Sequence, residues 1–325
     1  MPSQSLIINS RVTLKGAGRN NTIIDANPDG TAISPVINIQ STSTEVLIDG
    51  IAIKNGGLAA PAGATFGVGL KSQAINLALK NCEISYNTIS GTSASAVTGV
   101  GLYHKSTGLF TMDNCNIQNN TGNLTNAAGY SWGAGAYIEA AKTDISNSNI
   151  SNNTFPIAQG ASGGAGLTLL GNSSITKTTI SNNQARNFAA GIYYSSAFEH
   201  DLSYSNLEQN ATNSLSFGNH IYLSGTSKLN ILNSALLDST SPTEHIFAST
   251  SVVLTIKNST LHSTVASELI ELSSAIADIE ASTLYSADGN TINFRLNSGT
   301  LYTKSSIYWT GNFTCTSHTN PVYQH

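Results

Sequence analysis

The stretch "MDNCNIQNNTGN", residues 112–123, has a near copy 33 residues earlier, "LKNCEISYNTIS" at 79–90, and another 33 later, "ISNSNISNNTFP" at 145–156. Each copy sets an Asn, a small residue, an aliphatic residue and a second Asn at nearly one spacing. Self-similarity at a period of 20–50 residues identifies a repeat architecture before any local choice of helix or strand. Aligned on the aliphatic, the copies fall at Ile53, Ile84, Ile117, Ile150, Ile180, Leu207, Leu236, Leu261, Leu284 and Ile307, with steps between 33 and 23 residues. A drifting period excludes collagen and heptad coils, whose slots are rigid. It suits a coil whose strands are constant while its loops vary.

Five residues before the aliphatic stand Ile48, Leu79, Met112, Ile145, Ile175, Leu202, Ile231, Ile256 and Ile279, an apolar column that points inward. Two before it the column is mostly small, Cys82, Cys115, Ser148, Thr178, Ser205 and onward, and three before it come Asn81, Asn114, Asn147, Asn233 and Asn258. Stacked amides bond along an axis where strands repeat every ~4.8 Å, and Asn tolerates the left-handed backbone of a sharp bend. A second set, Asn87, Asn120, Asn153, Asn183 and Asn210, marks the next corner. The remaining strand of each coil opens with glycine, as in "GVGLYH" at 99, "GAGAYI" at 133 and "GGAGLTL" at 163, then alternates. Three short strands per coil, each parallel to its copies, predict an all-β right-handed parallel β-helix. About ten coils make a rod on the order of 50 Å long. Residues 1–325 read as one such domain, a piece of a longer chain.

Two stretches, "GGAGLTLLGNSSITKTTISNNQA" and "GAGAYIEAAKTDISNSNISNN", resemble the repeats of polymorphic outer-membrane proteins and similar bacterial surface β-helix proteins. Ile or Leu stands here where that family has Phe. The resemblance covers roughly residues 65–225. The opening "VTLKGAGRNNTIIDA" is similar to the first coils of the wider pectin-lyase-like group, and "KSSIYWTGN" to a late coil of secreted surface proteins. The resemblance implies an extracellular or cell-surface setting. Adhesins, autotransported passengers, lyases and glycosidases share the fold, so a site must decide function.

Only 10% of the 325 residues are charged, and the net charge is −4, which supplies no basic field for nucleic acid. No segment approaches the roughly 20 apolar residues of a membrane-spanning helix, so no membrane insertion is expected. Three cysteines, Cys82, Cys115 and Cys315, argue against a disulfide framework. No cofactor and no metal are expected: His220 and His245 align on neighbouring coils, but a site wants three or four ligands.

Two functions follow. One is a non-catalytic adhesin-like module that recognises a glycan or a cell-surface protein. On the glycine-led strand the residue after each inward aliphatic faces out, and that column reads Lys71, Tyr103, Tyr137, Thr168, Tyr193, Tyr222 and Phe247, with Tyr130 and Trp132 arriving from a loop. Rings at strand spacing suit sugar faces or an apolar partner, although aromatics also simply favour strands. The other function is a polysaccharide lyase or glycoside hydrolase, working through clustered or paired acidic groups. Its candidates are Asp113, Asp144, Glu139 and the run Glu199, His200, Asp201, for which solvated strand charge is the simpler account. Lys105 and Glu139 read as a cross-strand ion pair. The long insertions "TGNLTNAAGYSW" and "TFPIAQGAS" lie on one edge of the rod, where binding residues tend to sit.

Overall fold

The computed structural model describes residues 4–26, 34–59, 64–91, 96–124, 129–156, 162–195, 197–212, 217–239, 241, 243–265, 268–286 and 294–305, with the backbone of 323–324. Ile307 and Cys315 lie outside the described residues, as do parts of the insertions at 92–95, 125–128 and 157–161.

The protein is a right-handed parallel β-solenoid with no helix among the described residues. One coil shows the plan. Leu102–Lys105 forms its first face, Leu109–Asp113 its second and Asn116–Gln118 its third. Each face pairs in register with the next coil: Leu102 opposes Ala136, Met112 opposes Ile145 and Ile117 opposes Ile150. Among the described residues the third face stacks ten strands, from Ile23–Asp25 to Thr283–Ser286. The first two faces join in one 21-stranded sheet, because Ala136–Ser146 and Leu167–Thr176 run unbroken through the bend between them.

Alternation sets the core. Along Leu109–Asp113, Phe110 and Met112 are buried while Leu109 is exposed. The aliphatic and minus-five columns from Ile48 to Leu284 are all buried, and each such side chain contributes about 1.5–3 kcal/mol.

The two corners divide the work of asparagine. At the first corner Asn81, Asn114, Asn147, Asn233 and Asn258 take φ of 48–52°, the left-handed bend expected of them. Their amides are exposed and bond only in part: Asn114 donates to Asn81 (2.7 Å), while Asn81 and Asn147 donate to Asp49 and Asp113. The continuous ladder is at the second corner. There the doublets Asn119–Asn120, Asn152–Asn153 and Asn182–Asn183 put the first residue at φ 54–56° and bury the second. Side-chain bonds of 2.8–3.0 Å run from Asn87 through Asn120, Asn153 and Asn183 to Asn210. From Asn120 to Asn210 each amide also donates to a carbonyl one coil back, as Asn120 does to Ile84.

This ladder explains the Gly-x-Gly motif. The first glycine of "GVG", Gly99, sits at φ +65°. A Cβ on the second, Gly101, would come within 2.8 Å of the Asn120 amide and 2.6 Å of the Gly135 carbonyl. Where the ladder ends, at Asn210, His220 takes that glycine's place and meets the Asn210 amide through Nδ1 at 3.1 Å.

A smaller second core, with Val68, Val100, Ala134, Ala165 and Ala190, lies beside the first. It is roofed by strands inside the expected loops: Thr88–Gly91 pairs with Gly57–Ala59 on one side and Thr121–Leu124 on the other, and Thr65–Phe66, Val97–Thr98, Ser131–Trp132 and Ser162–Gly163 pair in that order. The insertions are therefore partly a second layer of sheet, built on the coil repeat itself.

Candidate ligand-binding face

The residues after the inward aliphatics point away from the main core, and the strand register brings the aromatics among them together. Tyr103 opposes Tyr137, Tyr193 opposes Tyr222, and Tyr222 opposes Phe247. Their rings stack: 5.5 Å and 10° for Tyr103 with Tyr137, 5.3 Å and 8° for Tyr193 with Tyr222, 5.0 Å and 16° for Tyr222 with Phe247. Near-parallel rings this close cannot lie side by side in one plane, since their carbons would interpenetrate. They turn their faces to one another and their edges outward.

A second aromatic column covers the first. Phe66 lies 5.0 Å from Tyr103, Trp132 4.5 Å from Tyr193, Phe188 5.3 Å from Tyr222 and Phe217 4.6 Å from Phe247. The expectation of an open aromatic row therefore needs correction at its ends, because Tyr103 and Phe247 retain 8% and 7% exposure. Burial raises the phenol pKa values of Tyr103 and Tyr137, and pushes Tyr222 up to about 12, so these hydroxyls remain protonated donors.

The stack is broken at one place. Thr168 stands between Tyr137 and Tyr193, and its buried hydroxyl has no partner. Trp132 leans toward this gap at 47° to Tyr193, passing over Gly163, where a Cβ would meet the indole at 2.6 Å. The misaligned rings leave a half-open cleft of about 270 Å³ lined by Tyr130, Trp132, Phe188, Tyr193 and Tyr222. Four of these were legible in the sequence. Phe188 was not, although its place four residues before an inward aliphatic matches that of Trp132.

The sequence-derived acidic candidates do not converge. Asp113 accepts hydrogen bonds from Ser146 and Asn147, both 2.7 Å, which hold its pKa below the usual range. Asp144 pairs with Lys142 at 3.0 Å, and Glu139 with Lys105 at 2.9 Å as expected. In the run 199–201, Glu199 pairs with Lys228 and Asp201 accepts from Asn230, both outside, whereas alternation sends His200 into the core. There its Nδ1 meets Ser173 Oγ at 2.9 Å and its ring lies on Tyr194. The strand pleat thus separates the three groups.

An acidic cluster missed by sequence reasoning lies just past the aromatics. The outward column continues from Phe247 to Glu271 and Arg295. Glu244, Glu268 and Glu271 hold carboxylate oxygens within 4.8 Å of one another. Burial pushes Glu244 up to about 7, and its Oε1 accepts the Gly218 N–H at 2.7 Å. Arg295 bridges Glu268 and Glu271, and Asn297 donates to Glu271 at 2.7 Å. These three carboxylates could hold a cation, but Arg295 already supplies positive charge to two of them. Reading the column two coils further would have shown Glu271 and Arg295, but not Glu244 and Glu268, which stand in another column.

His220 and His245 stack at 4.6 Å and 9°, buried and neutral. Cys82 and Cys115 are buried free thiols in the small inward column. Comparison of the chain with protein-family models, curated proteins and solved structures finds no match.

Proposed function

We propose that the protein is a non-catalytic binding module, of the adhesin-like kind found among pectin-lyase-like and autotransporter β-helices, that recognises a glycan on a cell surface or outside the cell. The observation that carries this reading is the cleft whose lining, among the described residues, is five aromatic side chains. Concave aromatic sites with a few polar groups are the usual form of small-ligand sites. Tyr and Trp combine an apolar body with a hydrogen-bonding tip, which suits a sugar's mixed surface. The test is a glycan array and a cell-binding assay on the intact chain and on Trp132→Ala, with thermal melts of both. Binding that survives in a folded Trp132→Ala variant, or an array on which the intact chain binds nothing, overturns the reading.

A second reading, a polysaccharide lyase or hydrolase, draws support from Glu244, which burial keeps partly protonated at neutral pH beside two further carboxylates. Turnover assays on neutral and acidic polysaccharides, with Glu244→Gln as control, decide between the two.

A further inference from the structure

We propose that the cleft takes one neutral pyranose residue, seated in the opening that Tyr130, Trp132, Phe188, Tyr193 and Tyr222 line, and not a glycan chain laid along the aromatic column. This rests on the binding-module reading above and names its ligand class. The ring geometry excludes the column as a platform. A sugar stacks its C–H face on a ring face, and within the column those faces are covered by the next ring at 5.0–5.5 Å. Only ring edges and hydroxyls look outward.

Ring faces become available where the stack breaks. Thr168, itself buried and not among the residues that line the cleft, interrupts the stack, and the rings beyond it are tilted, 47° for Trp132 against Tyr193 and 73° for Phe188 against Tyr222. Tyr130, more than half exposed, stacks on Trp132 at 5.8 Å and extends that wall. The resulting 270 Å³ lies below the roughly 300–1,000 Å³ of drug-sized sites, room for one ring and not for a chain.

Charge selects among single rings. No lining residue among those described is charged. A uronic acid would bring a carboxylate against aromatic carbon with no cation to receive it, an uncompensated desolvation. A neutral ring brings only hydroxyls, which the phenols can bond. Tyr222 is protonated throughout the physiological range, and Tyr193 reaches Ser224 Oγ at only 3.5 Å, a bond weak enough to exchange.

The experiment uses the full chain carrying Trp309→Phe, which leaves Trp132 as its one tryptophan. Trp132 emission is followed during titration with the methyl glycosides of glucose, galactose, mannose and glucuronic acid. The homo-oligosaccharides, two to six units long, of whichever sugar binds come next. At least one neutral glycoside should shift the emission saturably, with the glucuronide at least tenfold weaker. Affinity should change less than threefold from one unit to six. Phe188→Ala should weaken binding at least tenfold, and Tyr103→Ser, outside the cleft, should leave it unchanged. Should Phe188→Ala fail to fold, Phe188→Leu keeps the bulk without the ring and should weaken binding likewise.

Affinity that rises tenfold or more with chain length, equal loss in Tyr103→Ser, or a preference for the glucuronide overturns the single-ring proposal while the binding-module reading stands. Array binding in the absence of any methyl-glycoside response does the same. An array with no bound glycan overturns both.

Discussion

Replacing Asn120 with Ala tests whether the buried amide ladder, and not the exposed corner asparagines, holds the coils in register. The Asn120 side chain makes four hydrogen bonds: it accepts from Asn87 N and Nδ2 at 3.2 and 2.8 Å, and donates to Ile84 O and Asn153 Oδ1 at 3.1 and 2.9 Å. A neutral buried hydrogen bond contributes about 1 kcal/mol net, and the partners left behind are themselves buried, so the loss should be about 4 kcal/mol. Asn114→Ala is the control. It loses one exposed bond to Asn81 and places alanine at φ 51°, together about 1–2 kcal/mol. The assay is urea unfolding followed by circular dichroism, with hydrogen exchange at Ile84, Asn87 and Asn153 to catch local opening, since stacked coils need not unfold as one. Equal costs for the two variants, or a loss under about 1 kcal/mol for Asn120→Ala, would show that water replaces the amide and that the ladder is not what sets the register.

Three further outcomes are expected. Burial pushes the His104, His200 and His245 pKa values down to about 4 and lowers that of His220 well below its usual value, so the unfolded chain binds protons that the folded chain refuses below about pH 6.5. Stability is full above that pH and falls progressively toward pH 4, by about 3 kcal/mol for each of the three, with Glu244, raised to about 7, offsetting about one of them. Urea midpoints at pH 7 and 4.5 measure the fall. His245→Leu, the residue type that Leu269 supplies at the same place one coil on, should flatten it, and an unchanged slope would refute the assignment. Ala189 sits at φ 38° where neighbouring coils have Gly164 and Gly218, so Ala189→Gly should raise the melting temperature by a few degrees, about 1 kcal/mol. Gly101→Ala should lower it by more than that, because its Cβ meets fixed backbone and Asn120; an unaffected melt would mean the corner yields freely.

The repeat columns were readable because a parallel solenoid writes its fold into the chain periodically. Met112, Cys115, Ile117 and Asn120 recur at constant offsets, strand alternation assigns each an inside or an outside, and the burial follows. Even the doublet at Asn119–Asn120 and the glycine at 101 are local consequences of one corner geometry. What lay beyond the sequence was lateral. Trp132, Phe188 and Phe217 each stand four residues before an inward aliphatic, but that spacing does not announce that they lean across onto the tyrosine column and leave a cleft beside Tyr193 and Tyr222. The orientation of stacked rings depends on neighbours one coil away, about 30 residues along the chain. The same holds for Glu244, Glu268 and Glu271, which approach within 4.8 Å from two successive coils. Period and alternation determined the coil. Side-to-side packing between columns, which has no period, determined the site.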